Sequence, residues 1–334
     1  MNMPLKIQKS AGRGKAMLEH PRLVCIETTN YCNAKCNFCP NEVLERGKKT
    51  MSDDLYEKII DDCTRFPLRE IEPFMNGEPF MDKQIIPRME LIRRRLPNTK
   101  LRLYTNANIM FPDKIDQLIG LGIDHLFVSL NTTDPDEYER VMKIPLQRTL
   151  DNLQYLTDPV RKHKVANKIT FRMARHKTMP LAEQDDFLEF CKDHKVRPFI
   201  VGMFNYKGFI ETPLPVPNYP CANITRLDIL SNGKVTLCCM DQDGEYELGD
   251  VSTHSVLEVH NAARAREYRE FHRTGRRTEI EPCDVCNVCS PSLSHMPPLK
   301  TMRFALESRH YFMKHKPRGR KAPLAAPMEA PIAS

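Results

Sequence analysis

Six apolar, β-branched runs alternate with helix-forming segments between about residue 21 and residue 205, and this alternation constrains the fold more than any other feature. The runs are LVCIET (23–28), IEPFMN (71–76), LRLYTN (101–106), HLFVSLN (125–131), KITFRMA (168–174) and RPFIVGMF (197–204). Ser52 with Asp53 and Asp54 can cap a helix that carries Leu55, Ile59 and Ile60 on one face. Residues 83–95, 113–121, 148–163 and 180–194 carry the same helical pattern, and Pro180 suits a first turn. Repeated strand–helix units imply parallel strands joined by right-handed crossovers. Six units fall short of the closed eightfold barrel. The expected fold is therefore α/β, an open, partial (β/α)6 barrel, with its chemistry at the C-terminal ends of the strands.

PLPVPNYP (213–220) interrupts this pattern. Three prolines within five residues cannot continue a helix or a central strand. After the break, LDILSNGKVTLCCM reads as two short strands around Asn232-Gly233, a strong hairpin pair. A helix follows around 255–272, then the CDVCNVC knot. The expected organisation is a basic extension (1–20), the barrel (21–212), a small α+β domain (213–295) and a basic tail (296–334). A chain of 334 residues is long enough for both domains to have their own core. Apolar periodicity ends near residue 313, so the tail is expected to be disordered.

The net charge of +7 divides into +3 over residues 1–20, −2 over 21–299 and +6 over 300–334. Basic tails can contact nucleic acid or an acidic partner, or be solvated ends. No aromatic stripe runs among the lysines, as a base-stacking surface would need. There is no run of about eighteen apolar residues for a membrane span. The basic N-terminus lacks the apolar stretch of a signal peptide. The expected location is the cytosol, where clustered cysteines point to metal or catalysis rather than to disulfides.

Nine of the twelve cysteines fall into three groups: Cys32/36/39, Cys221/238/239 and Cys283/286/289. Cys25, Cys63 and Cys191 stand alone in apolar settings and read as small buried hydrophobes. The first group, in ETTNYCNAKCNFCPN, has the spacing C-x3-C-x2-C directly after the first strand. Three thiolates in one tight loop can hold three irons of a [4Fe–4S] cube and leave the fourth open. The alternative is a zinc loop, but structural zinc takes four ligands and only three are close together here.

With Phe38 before the last cysteine, this loop resembles that of the radical S-adenosylmethionine (radical SAM) superfamily. The resemblance spans roughly residues 21–205 and implies a [4Fe–4S] cluster on Cys32, Cys36 and Cys39. It further implies that the open iron binds S-adenosylmethionine, which one electron cleaves to a 5′-deoxyadenosyl radical. Asn76-Gly77-Glu78-Pro79, at the end of the second strand, looks like the family's G-G-E-P motif with Asn in place of the first Gly. By resemblance it contacts the methionine amino group, with Glu78 as the partner for the ammonium and Gly77 allowing close backbone approach. Thr105-Asn106 closes the third strand. Ser129 and Asn131, at the end of the fourth, become candidates for ribose contacts. Arg172 on the fifth could pair with the methionine carboxylate. Each of these polar residues could instead cap a strand end. An electron donor such as flavodoxin or ferredoxin is implied.

In the second region, Cys221 is followed by eleven residues, Gly233, four residues and Cys238, with the pair Cys283 and Cys286 beyond. This is similar to the "twitch" domain, a shortened SPASM domain. It implies one auxiliary [4Fe–4S] cluster on Cys221, Cys238, Cys283 and Cys286. Four thiolates in two groups also describe a zinc ribbon, which remains the alternative. Cys239 follows a ligand in a strand, so alternation turns it the other way. Cys289 could be a substitute ligand, a hydrogen-atom donor or a bystander.

The expectation is an enzyme that abstracts hydrogen from a small polyol, aminocyclitol or sugar, with dehydrogenation or epimerisation as the outcome. Only about 20 residues precede the first strand, which is too few for the leader-binding domain common in peptide maturases of the family. A peptide- or tRNA-modifying enzyme, or a carrier peptide delivered in trans, stays open. The different-class alternative is a non-catalytic metal module that binds RNA through its tails.

Overall fold

The computed structural model describes residues 19–165, 168–175, 181–202, 204–208, 210, 216, 217 and 220–288. The barrel half runs β1 (Leu23–Ile26), α1 (Asp53–Cys63), β2 (Glu70–Glu72), α2 (Ile85–Arg95), β3 (Lys100–Thr105), α3 (Pro112–Gly120) and β4 (His125–Ser129). It continues with α4 (Pro135–Met142), α5 (Leu146–Thr157), α6 (Pro159–Lys164), β5 (Ile169–Arg175), α7 (Leu181–Asp193) and β6 (Arg197–Gly202). The C-terminal part adds β7 (Leu227–Ile229), β8 (Lys234–Thr236), β9 (Glu247–Asp250), α8 (Val256–His260) and α9 (Ala263–Arg273). The expected 213–220 break, Pro180 and the tails lie wholly or largely outside the described residues.

The six expected strands are present and parallel, in the spatial order β6-β5-β4-β3-β2-β1. β2 is shorter than expected and stops at Glu72. Pro73 follows, and a proline has no N–H to give to a ladder paired on both sides. The helical pattern at 148–163 is broken between α5 and α6 at Asp158-Pro159. The expected helix at 255–272 is likewise two helices, the first opened by a Ser255/Glu258 capping box.

The hairpin does not stand apart from the barrel. β7 pairs in parallel with β1 (Val24↔Leu227, Cys25↔Asp228, Ile26↔Ile229), and β8 and β9 follow antiparallel. The described strands thus form one nine-stranded sheet. Leu227, Ile229, Val235, Val256 and Val259 pack into the same buried cluster as the barrel, while smaller clusters hold Ile224, Leu237, Tyr268 and Cys283, and Met240, Cys286 and Val288. Gly233 has φ +93°, as the hairpin turn requires.

Alternation along the strands sorts the side chains. Val24, Ile26, Ile71, Leu103, Val128 and Phe171 are buried in the core. Cys25, Glu72, Tyr104, Ser129, Arg172 and Val201 instead line a cavity on the concave face. The closed eightfold barrel fills this space with packed side chains. Here the sheet stays open between β6 and β9, its free edges among the described strands, and the concave face is partly polar.

Candidate active site

The cysteine loop springs from an anchored base. Beyond β1, Thr28 O accepts from Met51 N at 2.8 Å and Asn30 N donates to Lys49 O at 3.1 Å. Tyr31 O accepts from Glu78 N at 2.9 Å. At Gly77 a Cβ would lie 2.5 Å from Thr29 O and 2.6 Å from Tyr31 O, so only glycine fits between the two backbones. The close approach expected of Gly77 is therefore made to its own chain, which fixes the motif against the base of the loop. The loop is then tied to the end of α4, where Lys35 N donates to Met142 O and Asn37 N to Val141 O, both at 3.1 Å. These bonds satisfy carbonyls that a helix C-terminus leaves open. Cys39 N closes a turn onto Cys36 O at 3.0 Å.

Cys32, Cys36 and Cys39 line one cavity of about 340 Å³ together with Phe38, Asn76, Gly77, Glu78, Asn106, Ser129, Asn131 and Arg172. Pro79 does not line it and instead opens the short 3-10 turn Pro79–Met81. Burial pushes the Cys32 thiol up to about 12 and raises Cys36 and Cys39 as well. Thiols in such a place favour their neutral form until a metal centre compensates the charge.

The expected residues divide by what their polar atoms do. Glu78 Oε1 accepts from Thr105 Oγ1 at 2.7 Å and Phe80 N at 3.4 Å, and Oε2 accepts from Asn106 N at 2.7 Å. Three of roughly four carboxylate lone-pair sites are then used, and one stays open to the cavity. Burial raises Glu78 to about 7. Arg172 stands beside Ser129 in the β4–β5 register, and its guanidinium carbon lies 5.1 Å from the Tyr104 ring centroid. Its buried Nε has no hydrogen-bond partner among the described residues.

The asparagines are more committed. Asn106 Nδ2 donates to Asn33 Oδ1 at 2.9 Å, which ties β3 to the cysteine loop. Asn131, at φ 65°, accepts from Ala174 N at 3.0 Å and places Nδ2 3.0 Å from Met142 Sδ. Asn76 Nδ2 donates to Glu27 Oε2 at 2.9 Å. Glu27 is fully buried, pairs with Arg46 Nη2 at 2.5 Å and accepts from Ser231 N at 3.1 Å. Arg46 Nε also donates to Gln242 O at 2.7 Å, so this network joins the barrel to the hairpin.

The same cavity is lined by Glu72, Tyr104, Tyr206 and Arg226, which sequence reasoning missed, and by Cys25 and Cys239. Arg226 is paired with Asp228 through Nη2 to Oδ1 at 2.5 Å, and Glu72 with Arg102 Nε at 3.1 Å. Phe74 and Phe127 stack on either side of Tyr104, with ring centroids 5.2 and 4.3 Å away. The available signal was charge within the sheet, Glu72 in β2 and the Arg226–Asp228 pair around β7, because buried charges are retained where they are paired or used. Cys63 and Cys191 are buried in the core, as hydrophobes. Cys25 is equally buried but faces the cavity, with its thiol donating to Phe74 O at 2.6 Å.

Cys221, Cys238, Cys283 and Cys286 line a second, smaller pocket with His272 and Arg277. Cys238 and Cys239 face opposite pockets, and Asn223, Met240 and Val288 form the wall shared by both. Cys289 lies outside the described residues. Among the described residues, no three His, Cys, Asp or Glu side chains converge on a single-ion point. A [4Fe–4S] cube spreads its thiolates over its corners, so buried thiols set around a pocket have the donor chemistry that a cluster takes.

Comparison with known proteins gives the class. The model of the radical SAM superfamily matches residues 26–197, more than half of the chain, and the chain belongs to that superfamily. A second model, SPASM, described as an iron-sulfur cluster-binding domain, matches residues 221–289. The protein is thus a radical SAM enzyme that uses a [4Fe–4S] cluster and S-adenosylmethionine, with a C-terminal domain for auxiliary iron–sulfur.

Among curated relatives, a probable GTP 3′,8-cyclase of Methanocaldococcus jannaschii is 24% identical over 208 residues, 59% of this chain and 65% of the relative. A PqqA peptide cyclase of Rhodopseudomonas palustris is 28% identical over 126 residues, 36% of this chain and 32% of the relative. The chain therefore spans less than two thirds of the length of these relatives. Among solved structures, BtrN in complex with AdoMet and 2-DOIA superposes with TM-score 0.58 at 16% identity, covering 84% of this chain and 97% of that one. Streptococcus suis SuiB bound to precursor peptide SuiA gives 0.64 at 15% identity, covering 81% and 70%. At such identities these likenesses show the fold. Among the described residues, no helix is long and apolar enough to cross a membrane.

Proposed function

We propose that the protein acts on a small polyol, aminocyclitol or sugar, which it dehydrogenates or epimerises. The observation that carries this reading is one cavity lined by two chemically different sets of residues. One set is the three thiols, Glu78 and Arg172; the other is Glu72, Tyr104, Arg226 and Cys239. A [4Fe–4S] cluster on Cys32, Cys36 and Cys39 supplies, with S-adenosylmethionine, the radical that takes hydrogen from carbon.

The chain's own residues do the rest. Arg172 offers its unpartnered Nε to the cofactor carboxylate. Glu78 offers its remaining acceptor site to the ammonium, and Ser129 a hydroxyl to the ribose. Asn76, Asn106 and Asn131 act as positioning residues, because their amides bind the protein itself. Phe38 and Tyr206 keep water from the site. Glu72 and Arg226, which line the same cavity, can accept from and donate to substrate hydroxyls. A space of about 340 Å³ shared with the cofactor favours a small substrate, since it is near the lower end for small-molecule pockets.

Cys239 decides between the two outcomes. Burial raises its thiol to about 12, so it keeps the hydrogen that an epimerase must return. A peptide substrate is the second reading, favoured by the outer edge of β6, which pairs with no further strand among the described residues and onto which an extended chain could add. The test is anaerobic turnover of the reconstituted protein with S-adenosylmethionine, dithionite and a panel of aminocyclitols and sugars in deuterium oxide. Deuterium at one inverted carbon marks epimerisation. A product short of two hydrogens, formed with one 5′-deoxyadenosine each, marks dehydrogenation. Conversion of peptides and of no hydroxylated small molecule would contradict the proposal.

A further inference from the structure

The auxiliary pocket holds two polar side chains that no cysteine spacing announces. His272, in the last turn of α9, is 2% exposed. Its Nδ1 lies 3.0 Å from the backbone N of Cys221. An amide N–H can only donate, so Nδ1 is the acceptor and carries no proton. The ring proton is then on Nε2, which lies 3.4 Å from Cys283 Sγ, within reach of an N–H···S bond. One imidazole thus positions the backbone of one thiol residue and donates to the sulfur of another.

Arg277 is 1% exposed. Its Nη2 donates to Cys286 O at 2.5 Å and Val288 O at 3.1 Å, and its Nη1 to Pro217 O at 2.9 Å. A full positive charge is therefore clamped beside the Cys283–Cys286 knuckle. No carboxylate is among the described residues that line this pocket, whereas Glu78 lines the wall of the first thiol group.

We propose that His272 and Arg277 raise the reduction potential of the auxiliary cluster above what four thiolates alone would set. This rests on the reading that Cys221, Cys238, Cys283 and Cys286 hold that cluster. The physical reason is charge. Reduction adds an electron to an anionic centre, and both a donor on a ligand sulfur and a nearby guanidinium favour the more negative state. His272 and Arg277 are positioning residues for the cluster's charge and need touch neither substrate nor S-adenosylmethionine.

The test uses the full chain carrying Cys32→Ala, Cys36→Ala and Cys39→Ala, so that only the auxiliary cluster gives a signal. Its midpoint potential is measured by redox titration followed by electron paramagnetic resonance. His272→Leu removes the donor and His272→Gln keeps an N–H. The Leu variant should shift the reduction equilibrium about tenfold towards the oxidised form, a midpoint about 59 mV lower for one electron, and the Gln variant should shift it less. An unchanged midpoint in the Leu variant overturns the proposal. If the Leu variant loses its cluster, Arg277→Gln and Arg277→Met, which remove the guanidinium charge, decide: a lower midpoint in either sustains the proposal. Unchanged midpoints in both overturn it. Cluster loss in both also overturns it, because potential tuning is not a requirement for assembly. Absence of any iron–sulfur signal before position 272 is altered would mean instead that the four-cysteine reading has failed.

Discussion

The two thiol groups are built in opposite ways. Cys32, Cys36 and Cys39 lie on one short loop held by backbone contacts to α4 and to the Asn76–Glu78 strand end, and by Asn33, whose amide pairs with Asn106 and Asn108. Cys221, Cys238, Cys283 and Cys286 come from distant segments that side chains, chiefly His272 and Arg277, bring together. A local loop can present three ligands and leave a gap facing the cavity. A gathered set can enclose its centre with four. The buried Glu27–Arg46 pair, which reaches Ser231 and Gln242, holds the two groups on one sheet.

Breaking that link should have the largest effect on stability. Arg46→Ala leaves Glu27 buried without its cation, and loss of one partner of a buried pair costs about 3–5 kcal/mol. Urea unfolding should show this destabilisation, and the auxiliary cluster should be lost at lower denaturant than in the parent. A variant as stable as the parent would mean that the two regions are not coupled through Glu27.

A smaller effect is expected from pH and concerns the first region alone. Burial raises Glu78 from 4.5 to about 7. A carboxyl raised on folding holds its proton more tightly in the folded chain than in the unfolded one. Its contribution is least unfavourable below about 4.5, and stability falls as pH rises through 7, by roughly 3 kcal/mol in total. Glu78→Gln should remove that part of the slope between pH 5 and pH 8 in the cofactor-free chain. Parallel slopes in parent and variant would contradict the buried-carboxyl account.

The smallest effect on assembly is expected at Cys239, which faces the cavity rather than the auxiliary pocket. Cys239→Ala should keep the iron of both clusters and the cleavage of S-adenosylmethionine. In an epimerase it should lose the inverted product. Loss of the auxiliary cluster in this variant would make Cys239 a ligand and erase the distinction between the two pockets.

The barrel was largely legible because each strand carries its own apolar signal and each helix its own period. α4 was missed although Asp134 caps it, accepting from Glu137 N at 2.8 Å, with Pro135 at its first position. With only Tyr138, Val141 and Met142 buried, this short helix carries too brief an apolar period to stand out. The pairing of β7 with β1 was not legible, since a short strand's sequence does not name its neighbour. The cysteines were found by spacing. The positions of Gly77 and Asn131 were found by resemblance, but their contacts were not, because close backbone approach and a left-handed φ depend on the assembled fold. The same holds for Glu72, Arg226, His272 and Arg277, which reach Arg102, Glu72, Cys221 and Pro217 from across the sheet or from distant segments.

The central claim is that the local loop, and not the gathered set, is where S-adenosylmethionine is cleaved. The most direct measurement is 5′-deoxyadenosine formation under dithionite, with iron content, in the parent and in the Cys32→Ala, Cys36→Ala, Cys39→Ala variant. The account predicts cleavage by the parent, none by the variant, and retention in the variant of about half the iron, four of roughly eight atoms. Undiminished 5′-deoxyadenosine from the variant would contradict it.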